Sequence, residues 1–127
     1  MILRSLILAP VLMFQSVDMP DTQESLAHMN EVAWSAKIAK EIGGQAEVRT
    51  PDGSRVDILT DEYAYEVEWA HKPFEAVGQA VYYGLAFNRK PAVILLMRPD
   101  QEKYYLRCLV LCAELDVHLE TRKVPAR

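Results

Sequence analysis

Two short alternating runs followed by a change of period stand at the centre of this chain. Ser54 to Thr60 and Tyr63 to Trp69 alternate between polar and apolar residues and are rich in β-branched and aromatic types. That is the period of a half-buried strand. Only Asp61-Glu62 separates the runs, so they predict a hairpin. In its second strand Tyr63, Tyr65, Val67 and Trp69 share one face, and Ala64, Glu66 and Glu68 the other. Upstream, Asp21 to Ile42 reads as one helix, with Asp21 as N-cap, Glu24 in its first turn and Gly43-Gly44 as its stop. Met29, Val32, Ala36, Ala39 and Ile42 form its expected inner stripe, with Glu31 beside it. Ala46 to Arg49 predicts a short strand, turned by Pro51-Asp52-Gly53-Ser54 into the hairpin.

Downstream, His71-Lys72-Pro73 opens a second helix that ends near Arg89-Lys90. Its expected core stripe is Phe74, Val77, Val81 and Leu85, and Gly78 suggests close contact with a sheet. Glu75, Gln79 and Tyr83 recur every four residues and stack on another face. Pro91 to Met97 is a continuous apolar run, the mark of a strand covered on both sides. Gln101 to Leu115 predicts a third helix with Leu106, Leu109, Val110 and Ala113 inward, and Val117 to Leu119 a last short strand. The fold class is therefore α/β, of α+β type, with a mixed sheet flanked by helices.

Composition narrows this picture only a little. At 127 residues, half hydrophobic and a quarter charged, the chain is one domain able to bury a core. A net charge of −4 argues against a non-specific nucleic-acid binder with a broad basic face, but not against an enzyme with a local basic cleft. Cys108 and Cys112 read as two small buried side chains. The apolar start, residues 1–20, predicts an arm that packs on the domain or on a partner subunit. The alternative is a weak export signal, since one early Arg precedes a short apolar run. That run is too short to span a bilayer. The arm reading implies a cytoplasmic protein with no membrane association, and the signal reading an exported one.

The hairpin carries the chemistry. A loop symmetric about Asp61-Glu62 sets Asp57 opposite Glu66 and Arg55 opposite Glu68. Opposed like charges destabilise an antiparallel pair. Asp57 and Glu66 therefore call for a cation between them, and oxygen ligands in this number suit Mg²⁺ or Mn²⁺. Glu68 is expected to pair with Arg55 rather than act as a ligand. His28, His71 and His118 are read as structural, and Trp34, Trp69 and the tyrosines as core or boundary residues.

The order helix, three-strand meander, helix, strand, with Asp57 on the second strand, Glu66-Val67-Glu68 on the third and Gln79-x-x-x-Tyr83 on the next helix, resembles the PD-(D/E)XK nuclease superfamily. Within it the chain is most similar to RecB-like nucleases with a Gln-x-x-x-Tyr motif. The resemblance covers Glu31 to about Leu96. It implies a restriction-endonuclease-like αβββαβ core over residues 21–127. It also implies metal ligation by Asp57, Glu66 and the Val67 carbonyl, completion of the site by Glu31, and orientation or substrate contact by Gln79 and Tyr83. The family expects Lys two residues after the glutamate, where this chain has Glu68. Lys72, at the start of the next helix, is the expected replacement.

The resulting expectation is a Mg²⁺- or Mn²⁺-dependent nuclease that hydrolyses phosphodiester bonds in DNA. The alternative is a catalytically inactive protein of the same fold, acting as a nucleic-acid-binding or assembly subunit. A domain this small has little room for a DNA-gripping surface of its own, so a homodimer or a larger protein partner is expected.

Overall fold

The computed structural model describes residues 19–127, so the expected N-terminal arm or signal lies outside the described residues. Residues 21–42 form two helices rather than one. Helix α1 spans Gln23–His28 and α2 spans Glu31–Ile42. The break has a local cause: Met29 is extended, and the Asn30 side chain accepts from the Ala33 N–H to start a new helix. The first N-cap is Thr22, in a reciprocal pair with Ser25, and Asp21 instead bridges Lys37 at 2.7 Å. Gly43 closes α2 in the left-handed conformation, as its sequence position suggested.

Strands β1 (Gln45–Arg49), β2 (Arg55–Leu59) and β3 (Tyr63–Trp69) form the antiparallel meander. Helix α3 (Pro73–Phe87) crosses to β4 (Lys90–Met97), and α4 (Glu102–Leu115) crosses to β5 (His118–Lys123). β3, β4 and β5 are parallel, and the five strands lie in the order β1-β2-β3-β4-β5. Among the described residues the fold is thus a mixed five-stranded sheet with four helices, of the class the patterning predicted. β5 is longer than Val117 to Leu119, because the polar run HLETRK pairs with β4 at the sheet edge.

Each face of the sheet has its own core. Trp34, Ile38 and Ala39 of α2 pack on Ile58, Tyr65, Val67, Ile94 and Leu96. Ala76, Val77 and Ala80 of α3 and Cys108 and Cys112 of α4 pack on Val93 and Leu95 on the other face. All three long helices are rotated from expectation. Val32, Ala36 and Ile42 of α2 are exposed, as are Phe74 and Leu85 of α3 and Leu106, Leu109, Val110 and Ala113 of α4. The inward faces of α3 and α4 use smaller residues, because helix and sheet approach closely there, whereas α2 turns the larger Trp34 and Ile38 inward. Gly78 faces open space, so it relieves no contact; Gly84 does, since a Cβ there would stand 3.0 Å from the Arg89 carbonyl. The two cysteines are buried with sulfurs 3.8 Å apart, as expected of core residues.

Candidate metal centre

The site begins where β2 leaves the ladder. Ile58↔Tyr65 and Leu59↔Ala64 pair β2 with β3, the register expected from a two-residue loop. Carried one residue further, that register brings Asp57 across from Glu66. No backbone pair forms there; the Val67 N–H donates instead to Asp57 Oδ2 at 2.8 Å. A carboxylate has taken the place of a strand partner. The β1–β2 ladder skips the same point, pairing Ala46↔Ile58 and Val48↔Val56 and leaving out Glu47 and Asp57. Glu47 sits at φ 55°, a left-handed conformation uncommon outside glycine. Strain of this kind, of order 1–3 kcal/mol, persists where the surroundings hold it and clusters at functional sites.

Glu66 and Glu68 follow on β3, only 3% and 5% exposed. They share a face with Ala64, which packs beside Tyr83 of α3. Buried carboxylates are costly unless paired. Among the described residues, none of Glu31, Asp57, Glu66 and Glu68 forms an ion pair. Their neighbours are mostly each other. Burial pushes the Glu66 carboxyl well above its ordinary range, and the adjacent Asp57 charge pushes it further. Burial also raises Asp57, against the Val67 N–H and a hydrogen bond with Glu66, which hold it down. Glu31, at the first position of α2, is pushed up to about 8 by burial and by a hydrogen bond and charge from Glu68. A hydrogen bond between two carboxyls requires one of them to be protonated.

Glu68 does not pair with Arg55. The Arg55 guanidinium is exposed and bridges Glu47 at 3.1 Å, because β1 and not β3 lies beside it. Glu68 instead accepts from the Trp69 N–H at 2.8 Å and meets Glu31. Its place two residues beyond Glu66 on an alternating strand was the signal that it belongs with the acids. Glu47 left no such signal, because its backbone strain is invisible in the residue order.

α3 supplies the rest. Tyr83 is buried, and burial followed by the Glu66 charge raises its hydroxyl's pKa. Its neighbour Tyr82 donates to Asp52, so the β1–β2 turn is tied to α3. Gln79 does not join Tyr83 at the acids; it is exposed and makes no hydrogen bond among the described residues, because it lies beyond the edge of the buried face formed by Ala76, Val77, Ala80, Tyr83 and Gly84. Lys72, the N-cap position of α3, is exposed, yet its charge reaches Glu31 and opposes the rise there.

Two observations fit a hard divalent cation. Every donor in the cluster is oxygen, as Mg²⁺ and Mn²⁺ prefer. Glu66 Oε2 is buried with no hydrogen-bond partner, an orphaned acceptor next to Asp57. A strand residue presents its N–H and C=O on the same edge, so the Val67 carbonyl faces the same gap as the N–H that reaches Asp57. Among the described residues, no three His, Cys, Asp or Glu side chains are already gathered as a set that would hold an ion. Among the described residues no helix is long and apolar enough to cross a membrane. No protein-family model matches the chain, no curated protein matches it, and no solved structure matches it.

Proposed function

We propose that this protein is a metal-dependent nuclease of the PD-(D/E)XK type, hydrolysing phosphodiester bonds in DNA with Mg²⁺ or Mn²⁺. The observation that carries the reading is the Glu66 carboxyl, buried beside Asp57 with one oxygen unpartnered and its pKa raised by burial first and by Asp57 second. A fold has no reason to bury acids against each other for stability alone, because the arrangement weakens it. Asp57, Glu66 and the Val67 carbonyl are the ligands of this reading, and Glu31 and Glu68 complete the acidic wall. When bound, the divalent ion polarises the phosphate and lowers the pKa of an attacking water. Lys72, at the mouth of the site beside Glu31, stabilises charge developing on the phosphoryl oxygens. Tyr83, buried against Val56 and Ala64, positions the substrate strand. Gln79 stays off the acids and meets substrate from the exposed flank of α3.

The test is incubation of the purified protein with plasmid and single-stranded DNA in Mg²⁺ or Mn²⁺. Cleavage is expected for the parent, with Lys72→Ala losing turnover while keeping the metal-dependent rise in thermal midpoint. Equal cleavage by Asp57→Ala and the parent overturns the reading. The absence of Lys at position 68 and the exposure of Lys72 favour the second reading, an inactive assembly or nucleic-acid-binding subunit of the same type. That reading expects DNA binding without cleavage in either metal.

A further inference from the structure

The outer surface of the α3–α4 layer is apolar where it should be polar. On α4, Leu106 is 58% exposed and Val110 69%, and Leu109 and Ala113 continue the stripe at the i, i+3, i+4, i+7 spacing that normally faces a core. On α3, Phe74 and Leu85 are 64% and 80% exposed, and Tyr82 lies between them. Gly78 shares that line and leaves open space above the backbone. The two helices are neighbours in one layer, so the stripes form one face. An exposed apolar patch of this extent marks an interaction surface.

We infer that this face binds a second copy of the same chain across a two-fold axis, with α4 antiparallel to its counterpart. The charge order along α4 supports this occupant. Lys103 and Arg107 lie in its first half and Glu114 in its second, on the same flank of the apolar stripe. None of the three forms an ion pair among the described residues; Lys103 and Arg107 only stack on Tyr104, at 4.9 and 5.5 Å. An isologous contact requires a surface that complements itself, residue i meeting j and j meeting i. Antiparallel packing meets that requirement, since it sets Lys103 and Arg107 of each copy beside Glu114 of the other. A lipid surface would need a more uniformly basic rim, and Glu102 and Glu114 stand against it. The area is also sufficient. The six large side chains of the face (all but Ala113) at roughly 60–120 Å² each give about 500 Å², and the charged flanks bring the total near the ~800 Å² per partner of a standard interface.

Sedimentation equilibrium on the full chain tests this independently of any nuclease activity. The expected mass is twice the 14.5 kDa of the chain at tens of micromolar. Leu106→Asp with Val110→Asp should give a folded monomer, since both residues are exposed, with circular dichroism as the folding check. Lys103→Glu with Arg107→Glu should weaken dimerisation by about tenfold or more, and adding Glu114→Lys to the same chain should restore it. A monomeric parent, or a dimer indifferent to the Asp pair, overturns the inference. Failure to rescue by the charge swap overturns the antiparallel α4 arrangement.

Discussion

Asp52 and Asp57 lie five residues apart on one hairpin and live in opposite worlds. Asp52, in the turn, accepts from the Ser54 backbone N–H at 2.9 Å, and from the hydroxyls of Ser54, Thr50 and Tyr82. These donors, Ser54 foremost, hold its carboxyl far below the usual range. Asp57 has one N–H donor, from Val67, and faces Glu66, Glu68 and Glu47; burial drives it upward. One aspartate is surrounded by groups that need its charge, the other by groups that repel it. The first is what a fold does to fasten a turn. The second is relieved by protonation within the protein, and under the proposed function by a cation that supplies the missing positive charge.

The largest expected effect breaks the comparison at its functional end. Glu66→Ala should reduce DNA cleavage by at least about 100-fold and abolish the gain in thermal midpoint on adding Mn²⁺, while Asp52→Ala keeps both. Loss of the Mn²⁺ response in Asp52→Ala but not in Glu66→Ala would reverse the assignment of the two regions.

The next effect is in pH. Glu31 and Glu66 have pKa values raised in the folded state, so the folded protein binds more protons than the unfolded one between the ordinary carboxylate range and about 8. In chelator the stability these two groups contribute is therefore full below about pH 4 and is lost as pH rises through that window. The thermal midpoint should drop by several degrees between pH 5 and pH 8, and Glu66→Gln should flatten the slope. A midpoint that rises over that range would mean the acids are ionised and paired when the protein folds. Asp52 has the opposite sign. Its folded pKa is depressed, so its contribution is present above the unfolded value near 4 and is lost only in strong acid. The smallest expected effect is accordingly that Asp52→Asn leaves the slope between pH 5 and pH 8 unchanged.

Much of this was legible in the residue order. The two-residue loop fixed the β2–β3 register, and with it the meeting of Asp57 and Glu66. Gly43 marked the end of α2, and the apolar run of β4 marked a strand covered on both faces. The helices were harder. In α4, Leu106-Leu109-Val110-Ala113 and Cys108-Leu111-Cys112 are both stripes of helical period, and the larger residues turned out to face outward. Periodicity shows that a helix has an apolar side but does not choose between two such sides. Spacing by four likewise suggested that Gln79 and Tyr83 act together, yet α3 buries one and exposes the other.

By itself, then, the sequence determined what short-range rules govern: strand periods, turn residues, caps, and the alternation that puts Glu66 and Glu68 on one side of β3. The tertiary structure alone decided which helix faces meet the sheet, that Arg55 would serve Glu47 and leave Glu68 to Glu31, and that Glu47 and Asp57 would both drop out of the ladder. The reason is physical. Neighbour-to-neighbour preferences act within a turn or a strand pair, whereas the choice of helix face and of charge partner depends on how closely three layers can pack, which no local stretch of chain can sense.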